Sequence, residues 1–114
     1  MSDVLKQNAS GSGPLSESLA VDEAKTYQLI SVTLLVDIAP TTSENFVIAI
    51  APAAGPDFNV PLYTLDLSII GVTSIVWQPD QPYYLIGGDL LNITWTNTDD
   101  RLWGLEYTLL RVHP

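Results

Sequence analysis

The chain has 114 residues and carries 13 acidic side chains against 4 basic ones, a formal net charge of −9. It has no cysteine and one histidine, which excludes a disulfide scaffold and a cysteine zinc site. The scarcity of Lys and Arg removes the clustered cations that non-specific nucleic-acid binding needs. The length suits one domain and is too short for two ordinary ones.

Residues 1–14 form a compositional unit of their own, with Ser10, Gly11, Ser12, Gly13 and Pro14 in succession. A Gly-Ser stretch is costly to order and has no face to bury. It reads either as a flexible tail or as an N-terminal extended arm, with Val4 and Leu5 reaching along a partner. The sandwich domain is then residues 15–114. The segment lacks an apolar core of the kind found in secretory signals, so none is expected. A membrane helix is not expected either, because the longest apolar run, residues 67–72, is broken by Ser68 and Gly71.

From residue 15 the chain reads as strands. Residues 15–21 supply a first candidate. Residues 27–36 are the clearest, with Ile30, Val32, Leu34 and Val36 on one face and strong β formers throughout. Pro40, Thr41, Thr42 and Ser43 supply a turn. Residues 45–51 place Phe46, Ile48 and Ile50 on one face, and residues 52–59, with two prolines, form a loop. Residues 60–67 predict a strand with Tyr63, Leu65 and Leu67 on one face, and Pro61 suits its start or a sheet edge. Gly71 interrupts, residues 73–77 resume, and 78–82 turn. Residues 83–86 are short, and Gly87-Gly88-Asp89 offers the positive φ of a tight hairpin. Leu91, Ile93 and Trp95 then alternate with Asn92, Thr94 and Thr96. A polar turn over 97–101 leads into a last strand carrying Trp103, Leu105, Tyr107 and Leu109. Seven or eight strands at this spacing, with no helical period, predict an all-β fold: a single antiparallel β-sandwich, jelly-roll or immunoglobulin-like.

The search for chemistry gives little. His113 is the single histidine and is poorly placed for a positioned base, and no G-x-S-x-G elbow or phosphate loop occurs. The Asp99-Asp100 pair lies in a turn and reads as turn chemistry rather than as a glycosidase carboxylate pair. Asp57, Asp80, Asp89 and Asp99 form a weaker candidate calcium set, should their loops converge. Trp77, Tyr83, Tyr84, Trp95, Trp103 and Tyr107 are candidates for a sugar-stacking surface. Trp95 and Trp103, however, alternate in phase with Leu91, Ile93, Leu105 and Leu109, which points to a core or a subunit interface. The sequons at Asn8 and Asn92 read as chance. The expectation is a protein without catalytic, cofactor-binding or metal residues, whose interface candidates are Val4, Leu5, Tyr83, Tyr84 and Trp103.

The last third runs Pro82-Tyr83-Tyr84-Leu85-Ile86-Gly87-Gly88-Asp89, then Leu91 to Thr96 in alternation, then Asn97-Thr98-Asp99 and Trp103-Gly104-Leu105-Glu106. This cadence, with Pro40-Thr41-Thr42-Ser43-Glu44-Asn45 before an apolar strand, resembles small β-sandwich structural proteins of tailed bacteriophages and prophages. The resemblance covers residues 20–112 and implies no catalytic residue. It implies a non-enzymatic structural virion protein, made in the host cytoplasm, that decorates or stabilises the capsid surface. Its partners are then the major capsid protein or another virion protein, and further copies of itself, with a trimer as the expected oligomer. No nucleic acid and no membrane is expected as partner. The alternatives are a tail or connector component, or a carbohydrate- or receptor-binding module.

Overall fold

The computed structural model describes residues 4–22, 24–52, 59–71 and 73–112. The chain forms β1 (Val4–Gly11), β2 (Leu15–Ala20), β3 (Thr26–Val36), β4 (Asn45–Ala51), β5 (Val60–Asp66), α1 (Leu67–Ile70), β6 (Ser74–Trp77), β7 (Tyr83–Leu85), β8 (Leu90–Trp95) and β9 (Trp103–Val112). All strand pairs are antiparallel. One sheet has the order β1-β9-β3-β6, with β7 also on β3, and the other the order β2-β8-β4-β5. The expected β-sandwich is therefore present. Its strand order is not the immunoglobulin one, in which the first two strands share a sheet: here β1 and β2 lie in different sheets.

The alternation read in the sequence builds the core. Phe46, Ile48 and Ile50 of β4, Leu91, Ile93 and Trp95 of β8, and Leu105, Tyr107 and Leu109 of β9 are all buried between the sheets. At about 25 cal/mol per Å² of apolar surface removed from water, such side chains supply the main driving force for folding. The far side of the sandwich is closed by a stacked pair, Tyr63 of β5 on Trp77 of β6, with ring centroids 5.6 Å apart.

Four expectations need correction. Ile30 does not share the core face of β3. The register shifts between Leu29 and Ser31, so Ile30 is the extra residue of a bulge and Leu29 takes the buried place. Residues 67–70 leave the strand for one helical turn, because Asp66 caps Ser68 through its N–H and Gly71 adopts the left-handed conformation at φ 63°. Gly87-Gly88-Asp89 is not a hairpin turn. It carries the chain from β7 in one sheet to β8 in the other, with Gly88 at φ 90°. Finally, Val4–Gly11 of the expected arm is a strand of the sandwich itself, paired with β9 over its whole length from Val4 opposite Leu110 to Gly11 opposite Trp103.

Candidate docking surface

Three loops and the α1 turn gather at one end of the sandwich: residues 12–14, 37–44, 67–71 and 96–102. They are joined by side-chain hydrogen bonds. Asp99 accepts from the backbone N–H of Thr41 and of Thr42, each at 2.8 Å, and from the Thr42 hydroxyl at 2.6 Å. Glu44 accepts from the Thr98 N–H at 2.9 Å and from the Thr98 hydroxyl. Asp37 accepts from the Leu102 N–H at 3.0 Å, while its own N–H donates to the Leu102 carbonyl. Ser43 donates to Asp66. The hydrogen bonds from Thr42 and Thr41 hold the Asp99 carboxyl down at about 2, since donors aimed at a carboxylate favour its charged form. Ser43 and Ser68 lower Asp66 in the same way.

Asn97 locks the same end from within. It sits at φ 53° and is buried. Its amide donates to the Gly13 and Arg101 carbonyls and accepts from the Arg101 N–H at 2.9 Å. Local turn capping thus belongs to Asn97, whereas Asp99, read as a turn residue, ties its turn to a loop 57 residues away.

These fastened loops present large apolar side chains to solvent. Ile38 is 56% exposed and Leu102 59%, and they flank the Asp37–Leu102 backbone bond. The outer face of the first sheet continues the pattern. Val4, Leu110, Gln28 and Tyr84 follow one another across β1, β9, β3 and β7, and Val4, Leu110 and Tyr84 are exposed. Leu35 and Val76 are exposed further along. Beside Leu35, over β1, β9 and β3, Gly104 leaves a hollow of about 320 Å³ bordered by Asn8, Thr33, Leu35 and Glu106. Within the described strands the only carboxylates are Glu17, Asp66 and Glu106. Glu17 points between the sheets, where Tyr107 hydrogen-bonds to it.

The predicted interface residues are therefore divided. Val4 and Tyr84 share the outer row. Leu5 and Tyr83 turn inward and pack against the core. Trp103 also packs there and fixes the corner between β1 and β2, its indole N–H donating to the Gly13 carbonyl at 2.9 Å. Leu35, Val76, Leu110, Ile38 and Leu102 are exposed apolar side chains that were not among those candidates. Leu110 was legible as the apolar residue out of phase with Leu105, Tyr107 and Leu109, and Leu35 as the second half of a Leu-Leu pair.

The other candidate sites separate as well. Trp95 and Tyr107 are buried, Trp77 is stacked, and of the six aromatics proposed for sugar stacking only Tyr84 is exposed. Asp89 accepts from the Ile86 N–H at 3.1 Å, as expected of a turn residue, and flanks one end of β8 while Asp99 flanks the other, so the calcium set does not converge. Asp57 and His113 lie outside the described residues. Among the described residues no three metal-ligating side chains gather, and no helix is long and apolar enough to cross a membrane.

No protein-family model matches the chain, and no curated protein matches it. Solved structures of similar shape include the NLP core of Drosophila, described for its pentamer formation and histone binding, at 10% identity and a TM-score of 0.49, covering 94% of this chain and 96% of that one. The acid-stable capsid of Helicobacter pylori bacteriophage KHP30 gives 11% identity and a TM-score of 0.47, covering 96% of this chain and 100% of that one. RmlC from Streptococcus suis, solved with dTDP-D-xylose, gives 8% identity and a TM-score of 0.44, and the match spans 46% of its length.

Proposed function

We propose that this chain is a non-enzymatic structural protein of a tailed-bacteriophage particle, which docks as a homo-oligomer on the capsid surface and stabilises it. The observation that carries the reading is the loop end of the sandwich. Four of its carboxylates, Asp37, Glu44, Asp66 and Asp99, are engaged in hydrogen bonds between its segments, and the apolar Ile38 and Leu102 stand out from that fixed frame. Rigid presentation lowers the ordering cost of binding, and exposed apolar side chains on a chain with so few charges are the material of protein interfaces. The two phage-like segments, Pro40 to Asn45 and Asn97 to Asp99, are the same segments that bond to each other there.

The strand order supports the same class. With β6 and β7 taken as one interrupted strand, two four-stranded sheets interleave so that the first strand pairs with the last and the second with the one before it. We read this as a jelly roll, a double-sheet architecture common among capsid domains. Docking replaces chemistry as the mode of action: apolar surface is removed from water against the shell protein and against other copies.

The test is the composition of particles made by the genome that encodes the chain. Gradient-purified particles are expected to hold it in a fixed ratio to the shell protein, and Ile38→Asp with Leu102→Asp is expected to lower that ratio at least tenfold while the free protein stays folded. Particles that lack the chain would overturn the reading, and its recovery with tails alone would replace capsid by tail.

A further inference from the structure

The sandwich has four sheet edges, and they are not equally protected. The β5 edge carries Pro61, and the register shifts between Ile48 and Ala49. The edge opposite is divided into the short strands β6 and β7, separated by Gln78-Pro79-Asp80-Gln81-Pro82. Prolines, bulges and short strands are the devices by which proteins stop another chain from adding to a sheet. β1 and β2 have no proline, no bulge and no interruption, and of the charged residues that also blunt an edge each carries one, Lys6 and the inward Glu17. β1 runs eight residues in unbroken register with β9, and β2 runs six with β8. Among the described residues no strand lies on the outer side of either.

β1 and β2 also share one side of the molecule, since three residues join them. The opposite side is sealed by the Tyr63–Trp77 stack, whereas this side holds a hollow of about 440 Å³ lined by Leu5, Leu19, Val21 and Tyr27 and by the Asp22–Lys25 ion pair. The charge pattern matches. Lys6 is the only charged residue of β1, and its ammonium lies 3.8 Å from Glu106. Glu17 is the only one of β2, and it faces inward. A chain of net charge −9 repels its copies, yet on this side the edge strands turn no carboxylate outward.

We infer that β1 is the strand through which a second copy of this chain joins. The two β1 strands pair antiparallel across a twofold axis, so that the first sheet runs continuously from one copy into the other, with β2 facing its counterpart beneath. Both open edges lie on one side, so the contact is isologous and closes at two, and not at the three expected from the sequence. The area suffices. Eight residues at about 3.4 Å each make an edge about 27 Å long, and the molecule is 24 Å across in its thinnest direction. That is roughly 650 Å² per copy, or about 1,300 Å² in all, within the range of stable specific interfaces.

The inference rests on the homo-oligomeric reading above, and the experiment separates the two. The native chain lacks cysteine, so single-cysteine variants report contacts cleanly. Lys6→Cys, Asn8→Cys and Ser10→Cys place thiols on exposed positions of β1, and Thr64→Cys is the control on β5. With a short bis-maleimide, at least one β1 variant is expected to form covalent dimer at least tenfold faster than Thr64→Cys. Sedimentation is expected to give twice the chain mass for the native protein and once for Asn8→Lys combined with Ser10→Lys, with circular dichroism unchanged. A native trimer, a dimer that survives the two lysines, or linkage through Thr64→Cys in place of β1 would overturn the β1 pairing and leave homo-oligomerisation standing. A monomer at every concentration would overturn both.

Discussion

Asp99 and Thr42 stand 57 residues apart in sequence and are joined twice, by the Thr42 N–H at 2.8 Å and by its hydroxyl at 2.6 Å, both to the Asp99 carboxylate. This couples the β3–β4 loop to the β8–β9 loop. The bond needs the charged carboxylate, which gives it a pH signature. Asp99 holds its proton only below about 2 in the folded protein, against 3.8 as the ordinary value. Between those values the unfolded chain binds more protons than the folded one, so stability falls as the pH falls.

Asp99→Ala is therefore expected to lower the melting temperature at pH 7, with the difference from the native protein shrinking as the pH approaches 2. Thermal melts in buffers across that range measure it. An equal difference at every pH would mean that the carboxylate charge plays no part.

Asn97 combines a left-handed backbone with three hydrogen bonds in a buried position. Asn97→Gly keeps the backbone relaxed but removes the bonds. Asn97→Ala removes the bonds and adds strain. Loss of a buried, fully bonded amide costs about 1–3 kcal/mol, and the alanine variant is expected to lose about 1 kcal/mol more than the glycine one. Urea unfolding of the two variants side by side gives the ranking.

At the alkaline end Tyr107 is decisive. Burial raises its hydroxyl to about 12, and the nearby Glu17 carboxylate pushes the same way. The unfolded chain releases that proton near 10, so above pH 10 the folded state holds more protons and stability falls as the pH rises towards 12. Tyr107→Phe is expected to flatten this decline, although it sacrifices some stability at neutral pH. Chemical denaturation at pH 8, 10 and 11 distinguishes the two effects.

Two glycines give opposite expectations. A Cβ on Gly104 meets nothing within 4 Å, whereas one on Gly11 meets the Trp103 ring at 3.1 Å. Gly104→Ala is expected to stabilise by about 0.5–1 kcal/mol through lower entropy of the unfolded chain. Gly11→Ala is expected to destabilise, because the indole is held by its bond to Gly13. Urea midpoints for both variants check the signs.

Much of the fold was legible because alternation reports burial directly. Phe46, Ile48 and Ile50, or Leu91, Ile93 and Trp95, need no tertiary knowledge to be placed on an inner face. The bulge at Ile30 was not legible. It arises where the neighbouring strand is interrupted between β6 and β7, and no local property of residues 27–36 reveals that interruption. The arm was misjudged for a related reason. Asn8, Ser10 and Gly11 are poor strand formers, and β1 exists because β9 offers it a ladder, with Leu5 and Ala9 packed on the core. For the docking surface, Val4 and Tyr84 could be named but not joined, since their common row depends on β9 and β3 lying between them.

The pairing of β1 with β9 also sets the order of events when the chain is made. Val4–Gly11 is made before every other described strand and finds its ladder only after Trp103–Val112, the last of them, has emerged, so the first sheet closes late. Nearly all of its pairings link distant parts of the chain, which makes for slow folding and a long interval in which open strand edges stay reactive.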